Sequence, residues 1–122
     1  MAVRLHNPGY NHAKKLIGDG HVVLDGRDAW SEHQPSAGEE NEFIAQHGWD
    51  AYGRWHLGVD DERPKDTKGH WKFPYGDFKD IHRCAVLSAE SRAAQRDYDD
   101  IKTAIAHLHG MLETLRTSAR TA

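Results

Sequence analysis

The sequence predicts a mainly α fold with a small β element. Two stretches near the end carry apolar residues at helical spacing, and capping signals open two shorter helices near the start. Between them lies a segment dense in aromatic residues with no helical period. Together these describe a C-terminal antiparallel helical hairpin, covered by a long aromatic loop and short N-terminal helices.

Each element has its own signal. Asn7-Pro8 opens the first helix, because Asn can cap and Pro suits a first helical position. Tyr10, Ala13, Leu16 and Ile17 then share a face, and Gly18 and Gly20 end the run. Val22, Val23 and Leu24 are β-prone, and Asp25-Gly26 is a tight-turn signal, so a short strand or hairpin is expected there. Ser36 followed by Glu39 forms a capping box for a short helix that runs to about Gln46 and ends at Gly48.

From Trp49 to Gly76 the chain is punctuated by Pro64, Gly69, Pro74 and Gly76. Two extended pieces, Arg54–Gly58 and His70–Phe73, can pair across the acidic loop between them. Asp77 is read as the cap of a helix from Phe78 to about Arg96, with Phe78, Ile81, Ala85, Val86, Ala89 and Ala93 on one arc. Asp97–Asp100 breaks and recaps the chain. The final helix, Tyr98–Arg116, carries the cleanest stripe: Ile101, Ala104, Ile105, Leu108, Met111, Leu112 and Leu115. A short connection makes the last two helices antiparallel neighbours. One globular domain over 1–116 is expected, with 117–122 as a frayed tail.

Composition narrows the function classes. A chain of 122 residues with 38% hydrophobic content and a mean hydropathy of −0.82 must build a lean core without disulfides. Its net charge of −3 gives no general attraction to nucleic acid or anionic membranes. The single Cys84 excludes an internal disulfide and fits a reducing compartment. The first fifteen residues lack the apolar run of a secretory signal, and no segment reaches the length of a membrane span. A cytoplasmic location with no membrane partner is the expectation. Ten His residues are the one unusual count.

Three candidate chemistries follow. The first is an aromatic–basic surface of Arg54, Trp55, His56, Lys68, His70, Trp71, Lys72, Tyr75 and Lys79, with Phe73 beside it. Such a face can stack bases and bind phosphates of a single strand. Asp60, Asp61, Glu62 and Asp66 in the same segment oppose that reading, and large rings are also economical core material. Trp55, Trp71 and Phe73 are therefore read mostly as core. The second is a pair of buried polar candidates, His82 and Arg92, each inside the arc of the penultimate helix. Either anchors the aromatic loop by hydrogen bonds, or His82 is an acid–base group and Arg92 an anion site. The third is metal. His82 and Cys84 lie two residues apart and so point to different faces of the helix, and no second Cys exists for a zinc module. No metal ligand, catalytic residue or cofactor is assigned. No phosphate loop or hydrolase triad is present.

The segment from Trp55 to Ala93 carries Trp55, Gly58, Thr67, Lys68, Gly69, Trp71, Phe73, Pro74, His82, Arg83, Ala89, Ser91, Arg92 and Ala93 in a set order. It resembles a family of small uncharacterised bacterial proteins with that pattern, and the upstream run from Trp30 to Trp49 extends the likeness over most of the chain. A shorter element, Thr67–Pro74 with the helix after it, resembles a segment beside the prohead protease region of some tailed-phage proteins. This chain has no protease domain of its own. The resemblance implies a cytoplasmic, prophage-related accessory protein and carries over no activity. The leading expectation is a non-enzymatic protein-binding or assembly module, self-associating or docking a partner helix if Leu108, Met111 and Leu115 are left uncovered. Against it stand a single-stranded nucleic-acid binder and a metal protein or enzyme centred on His82.

Overall fold

The computed structural model describes residues 3–121, with side chains through 117. The elements are β1 (Val3–Leu5), α1 (Asn7–Gly18), β2 (Val22–Val23), α2 (Trp30–His33), α3 (Ala37–His47), α4 (Trp49–Gly53) and β3 (His56–Asp60). A 3₁₀ turn (Lys68–His70), β4 (Trp71–Pro74), β5 (Ile81–His82), α5 (Arg83–Arg96) and α6 (Asp99–Thr121) follow. Helix takes 59% of the chain and strand 15%, so the molecule is mainly α with a small β element. The expectation for 117–122 falls, Thr117 apart, on side chains outside the described residues.

The N-terminal half follows its local signals. Pro8 sits in the first turn of α1, and Ala13, Leu16 and Ile17 are buried at their predicted spacing, but Asn7 is already helical and His6 takes the cap position without a side-chain bond. The capping box of α3 is formed: Glu39 N–H donates to Ser36 Oγ at 3.1 Å, and Ser36 N–H donates to Glu39 Oε1 at 3.0 Å. Gly48, at φ 88°, ends the helix in a conformation that suits glycine.

β1, β3 and β4 form an antiparallel sheet in that order, with Gly58 opposite Lys72 and Val59 opposite Trp71. The two extended pieces expected on either side of the acidic loop thus pair. β1 was not expected, because three residues carry too little pattern to read. The aromatic segment also holds the short helix α4. β2 pairs with β5 in parallel, Val22 with Ile81 and Val23 with His82, so Asp25-Gly26 closes no hairpin.

That pairing corrects the start of the penultimate helix. Phe78 adopts φ 71°, outside the helical region. Asp77 Oδ1 accepts the N–H groups of Lys79 and Asp80 at 3.0 and 2.8 Å, so it caps a turn and not a helix. Ile81 and His82 are then held extended against β2, and α5 begins only at Arg83. Asp97, left-handed at φ 56°, ends it. α6 follows alongside: Arg83 Nε donates to Glu113 at 2.7 Å, and Glu90 meets His109 at 3.0 Å.

Ile101, Ile105, Leu108 and Leu112 of α6 are fully buried with Val86, Ala89 and Ala93 of α5, Ile81, Trp55, Phe73 and Tyr75. Burying each large apolar side chain contributes about 1.5–3 kcal/mol. Met111 and Leu115 are half-buried against the same core. Among the described residues Leu24 is the exposed large hydrophobic residue; of the expected docking stripe, Leu108 is fully buried while Met111 and Leu115 stay half-exposed. No helix among the described residues is long and apolar enough to cross a membrane.

Candidate metal centre

Three pieces of chain converge at the start of α5. β2 delivers Asp25 just past its end. α2 carries His33 in its only turn. The β5–α5 junction supplies His82 and Cys84. One ligand atom from each of Asp25, His33, His82 and Cys84 lies within 4.8 Å of every other. His33 Nδ1 and His82 Nδ1 each stand 2.7 Å from Asp25 Oδ2. Cys84 Sγ stands 3.0 Å from the same oxygen and 3.9 Å from His33 Nδ1. Asp25 is fixed from behind, since its Oδ1 accepts Cys84 N–H at 2.7 Å and its carbonyl accepts Arg83 at 3.1 Å. His82 is fixed too: its Nε2 faces Asp77 Oδ2 at 2.9 Å, and its ring leans on Trp30, centroids 5.7 Å apart.

The expectation that His82 and Cys84 point apart fails for a structural reason. It assumed both residues were helical, but His82 ends a strand and Cys84 sits in the first turn of α5. Across that junction a two-residue spacing brings both side chains to Asp25. His82 is 5% exposed and Cys84 1%, while His33 closes the cluster from the solvent side.

The electrostatics are coupled. Burial alone would raise Asp25, but hydrogen bonds from the Cys84 thiol, His82, the Cys84 N–H and His33 outweigh it and bring its carboxyl down to about 2. Burial opposes a charge on His82, yet its bonds to Asp77 and Asp25 prevail and raise it. Asp77 is lowered by His82 and by the N–H groups of Asp80 and Lys79, again against burial. Burial, then the bond to Asp25, pushes the Cys84 thiol up to about 12. Without a cation His82 is hydrogen-bonded between two carboxylates. With one, His82 would offer its Nδ1 lone pair to the ion and keep its Nε2–H on Asp77, the outer bond usual for a metal-bound His.

The aromatic–basic surface does not assemble. Trp55, His56, His70, Trp71, Phe73 and Tyr75 are all buried, and each polar one of them points inward. Trp71 Nε1 donates to Lys65 O, His56 Nδ1 to Tyr52 O, His70 Nδ1 to Arg63 O, and Tyr75 Oη to Arg54 O. Lys68 is tied to α3 through Glu40 at 3.3 Å. Arg54 and Lys79 are exposed and Lys72 is half-exposed, without a ring to stack on beside them in one face. The reading of Trp55, Trp71 and Phe73 as core fits this burial, whereas Tyr75, read as surface, is 0% exposed. Arg92 also needs correction. It is exposed, because α5 turns its Ala85–Ala89–Ala93 edge to the core and Arg92 lies beside that edge.

Sequence reading missed Asp25 and His33. Asp25 was absorbed into a turn signal, and His33 is one of ten His with no spacing to single it out. The one available hint was the His82-x-Cys84 pair, and it was read as lying inside a single helix. Comparison of the chain with protein-family models, with curated proteins and with solved structures finds no match in any of the three.

Proposed function

We propose that the protein is a zinc-binding module, the ion being held by Asp25, His33, His82 and Cys84. The observation that carries this reading is the convergence of four donor atoms, from three separated pieces of chain, within 4.8 Å. One sulfur, two imidazoles and one carboxylate form a set suited to Zn²⁺ and poorly suited to Mg²⁺ or Ca²⁺. Four protein donors leave no open position, which is the mark of a structural ion. When bound, the ion takes Cys84 as thiolate.

In this reading the scaffold is the hairpin of α5 and α6 covered by the aromatic arm and the N-terminal helices. The ion pins the 24–35 segment to the start of that hairpin. The role is that of a non-enzymatic accessory module, which agrees with a closed set of four protein donors and with the prophage-related resemblance.

The test is elemental analysis of protein purified without chelator, followed by Co²⁺ substitution. One equivalent of zinc is expected. Co²⁺ should give tetrahedral d–d bands and a thiolate charge-transfer band that Cys84→Ser removes. Folded protein that carries no zinc and takes up no Co²⁺ overturns the proposal.

A further inference from the structure

A second site lies toward the other end of α5, away from the metal cluster. A cleft of about 510 Å³ opens between β4 and the α5–α6 junction. Its lining includes Arg63, Lys72, Arg92 and Arg96 against the single carboxylate of Asp60. That local excess of positive charge sits in a chain whose net charge is −3.

Three of these cations are unspent. Arg63 lies 3.6 Å from Asp60, but among the described residues the side chains of Lys72, Arg92 and Arg96 have no ion-pair or hydrogen-bond partner. Arg92 and Arg96 are four residues apart on one helix, a spacing at which like charges repel. The helix dipole accounts for cations near a C-terminus. It does not account for Lys72, which comes from a strand and faces the same cleft. Next to Lys72, Phe73 holds φ 59°, a left-handed conformation that a bulky residue keeps only where its surroundings over-determine it. Phe73 and Tyr98 line the cleft edge-to-face, centroids 6.0 Å apart, and give it an apolar wall.

We infer that this cleft binds a phosphate-bearing small molecule, with Lys72, Arg92 and Arg96 on the phosphate and the Phe73–Tyr98 wall against the organic part. Two guanidinium forks and an ammonium suit a dianion better than a single carboxylate. The volume lies in the range of small-molecule sites and exceeds the needs of inorganic phosphate. The site is independent of the metal reading.

The experiment is calorimetric titration of the full chain with adenosine monophosphate, ribose 5-phosphate and inorganic phosphate at low salt. Saturable one-to-one binding of at least one phosphate ester, tighter than inorganic phosphate, is expected. Arg92→Gln and Arg96→Gln should each weaken it about tenfold, the cost of losing one hydrogen bond to a charged group. Lys79→Gln, outside the cleft, should leave it unchanged. Absence of saturable ester binding overturns the inference, as does equal affinity in the Arg variants. A short single-stranded oligonucleotide binding more than tenfold tighter than its mononucleotide also overturns it, because the ligand is then a strand.

Discussion

Asp77→Asn separates a metal centre from a hydrogen-bonded polar knot. Among the described residues Asp77 makes no hydrogen bond to Asp25, His33 or Cys84; it holds His82 from outside, Oδ2 to Nε2 at 2.9 Å. The amide keeps an acceptor for Lys79 N–H and Asp80 N–H, so the turn before β5 survives. Its NH₂ then takes the place of Oδ2, so the His82 Nε2–H loses its acceptor. With that acceptor goes the negative charge that makes the imidazole a stronger ligand. Loss of an outer partner of this kind weakens metal binding about 10- to 100-fold, or about 1.4–2.8 kcal/mol. Zinc affinity is read by competition with a chromophoric chelator, and the coordination set by the Co²⁺ spectrum. The expected result is weaker zinc with an unchanged cobalt spectrum, whereas Cys84→Ser changes the spectrum itself. Unchanged affinity in Asp77→Asn would refute the assignment of His82 as a ligand steadied by Asp77.

Three further outcomes follow from the same structure. Burial lowers His56 to about 4 despite its bond to Tyr52 O. The unfolded chain therefore binds the extra proton first, and stability is lost as pH falls from about 6.5 to about 4, by about 3 kcal/mol. His56→Asn should flatten that part of a denaturation-against-pH curve, and an unchanged slope would sink the account. Ser36→Ala removes the side-chain half of the capping box and should lower stability by about 1 kcal/mol in urea unfolding. Gly76→Ala would place a Cβ 2.6 Å from Asp80 O and from the Trp55 ring. Since a backbone oxygen cannot swing aside, the cost should reach about 3 kcal/mol, seen as a lower melting temperature.

Much of the fold was legible because its signals are local. Pro8, the Ser36–Glu39 box and the α6 stripe each name their element within a few residues. The start of α5 was misread because helical spacing continues back through Ile81 and Phe78, while the pairing of Val22–Val23 with Ile81–His82 spans about half of the chain and leaves no local mark. The site was illegible for the same reason. Asp25 and His82 are 57 residues apart. Their meeting depends on a two-residue parallel pairing that no periodicity reports. The error about Cys84 was inherited from the helix boundary, since a helix turns successive side chains by a fixed angle and a strand–helix junction does not. Burial of the aromatic arm was foreseen for Trp55 and Trp71, yet His56, His70 and Tyr75 went unread as core. Nothing local shows that their polar atoms will find the backbone carbonyls of Tyr52, Arg63 and Arg54.

The segment from Leu24 to Pro35 shows what an ion at this place would be for. Its helix, α2, has four residues and no side-chain cap, a length far below what holds a helix alone. Asp28 sits at φ 72°, which adds to the cost of its conformation. Trp30 is its one fully buried apolar side chain among the described residues, with Ala29 packed half-buried against the same core. The remaining attachments run through Asp25 and His33, and both belong to the metal cluster. Removing the ion should therefore loosen this segment first and leave α6 nearly as it was, because local openings follow local contacts. Hydrogen exchange with and without zinc reads this directly. Amides from Trp30 to Gln34 should exchange faster in the metal-free protein, while those around Leu108 keep their protection. Equal slowing of both regions by zinc would mean that the ion stabilises the whole core, and identical exchange in the two states would leave it no structural role.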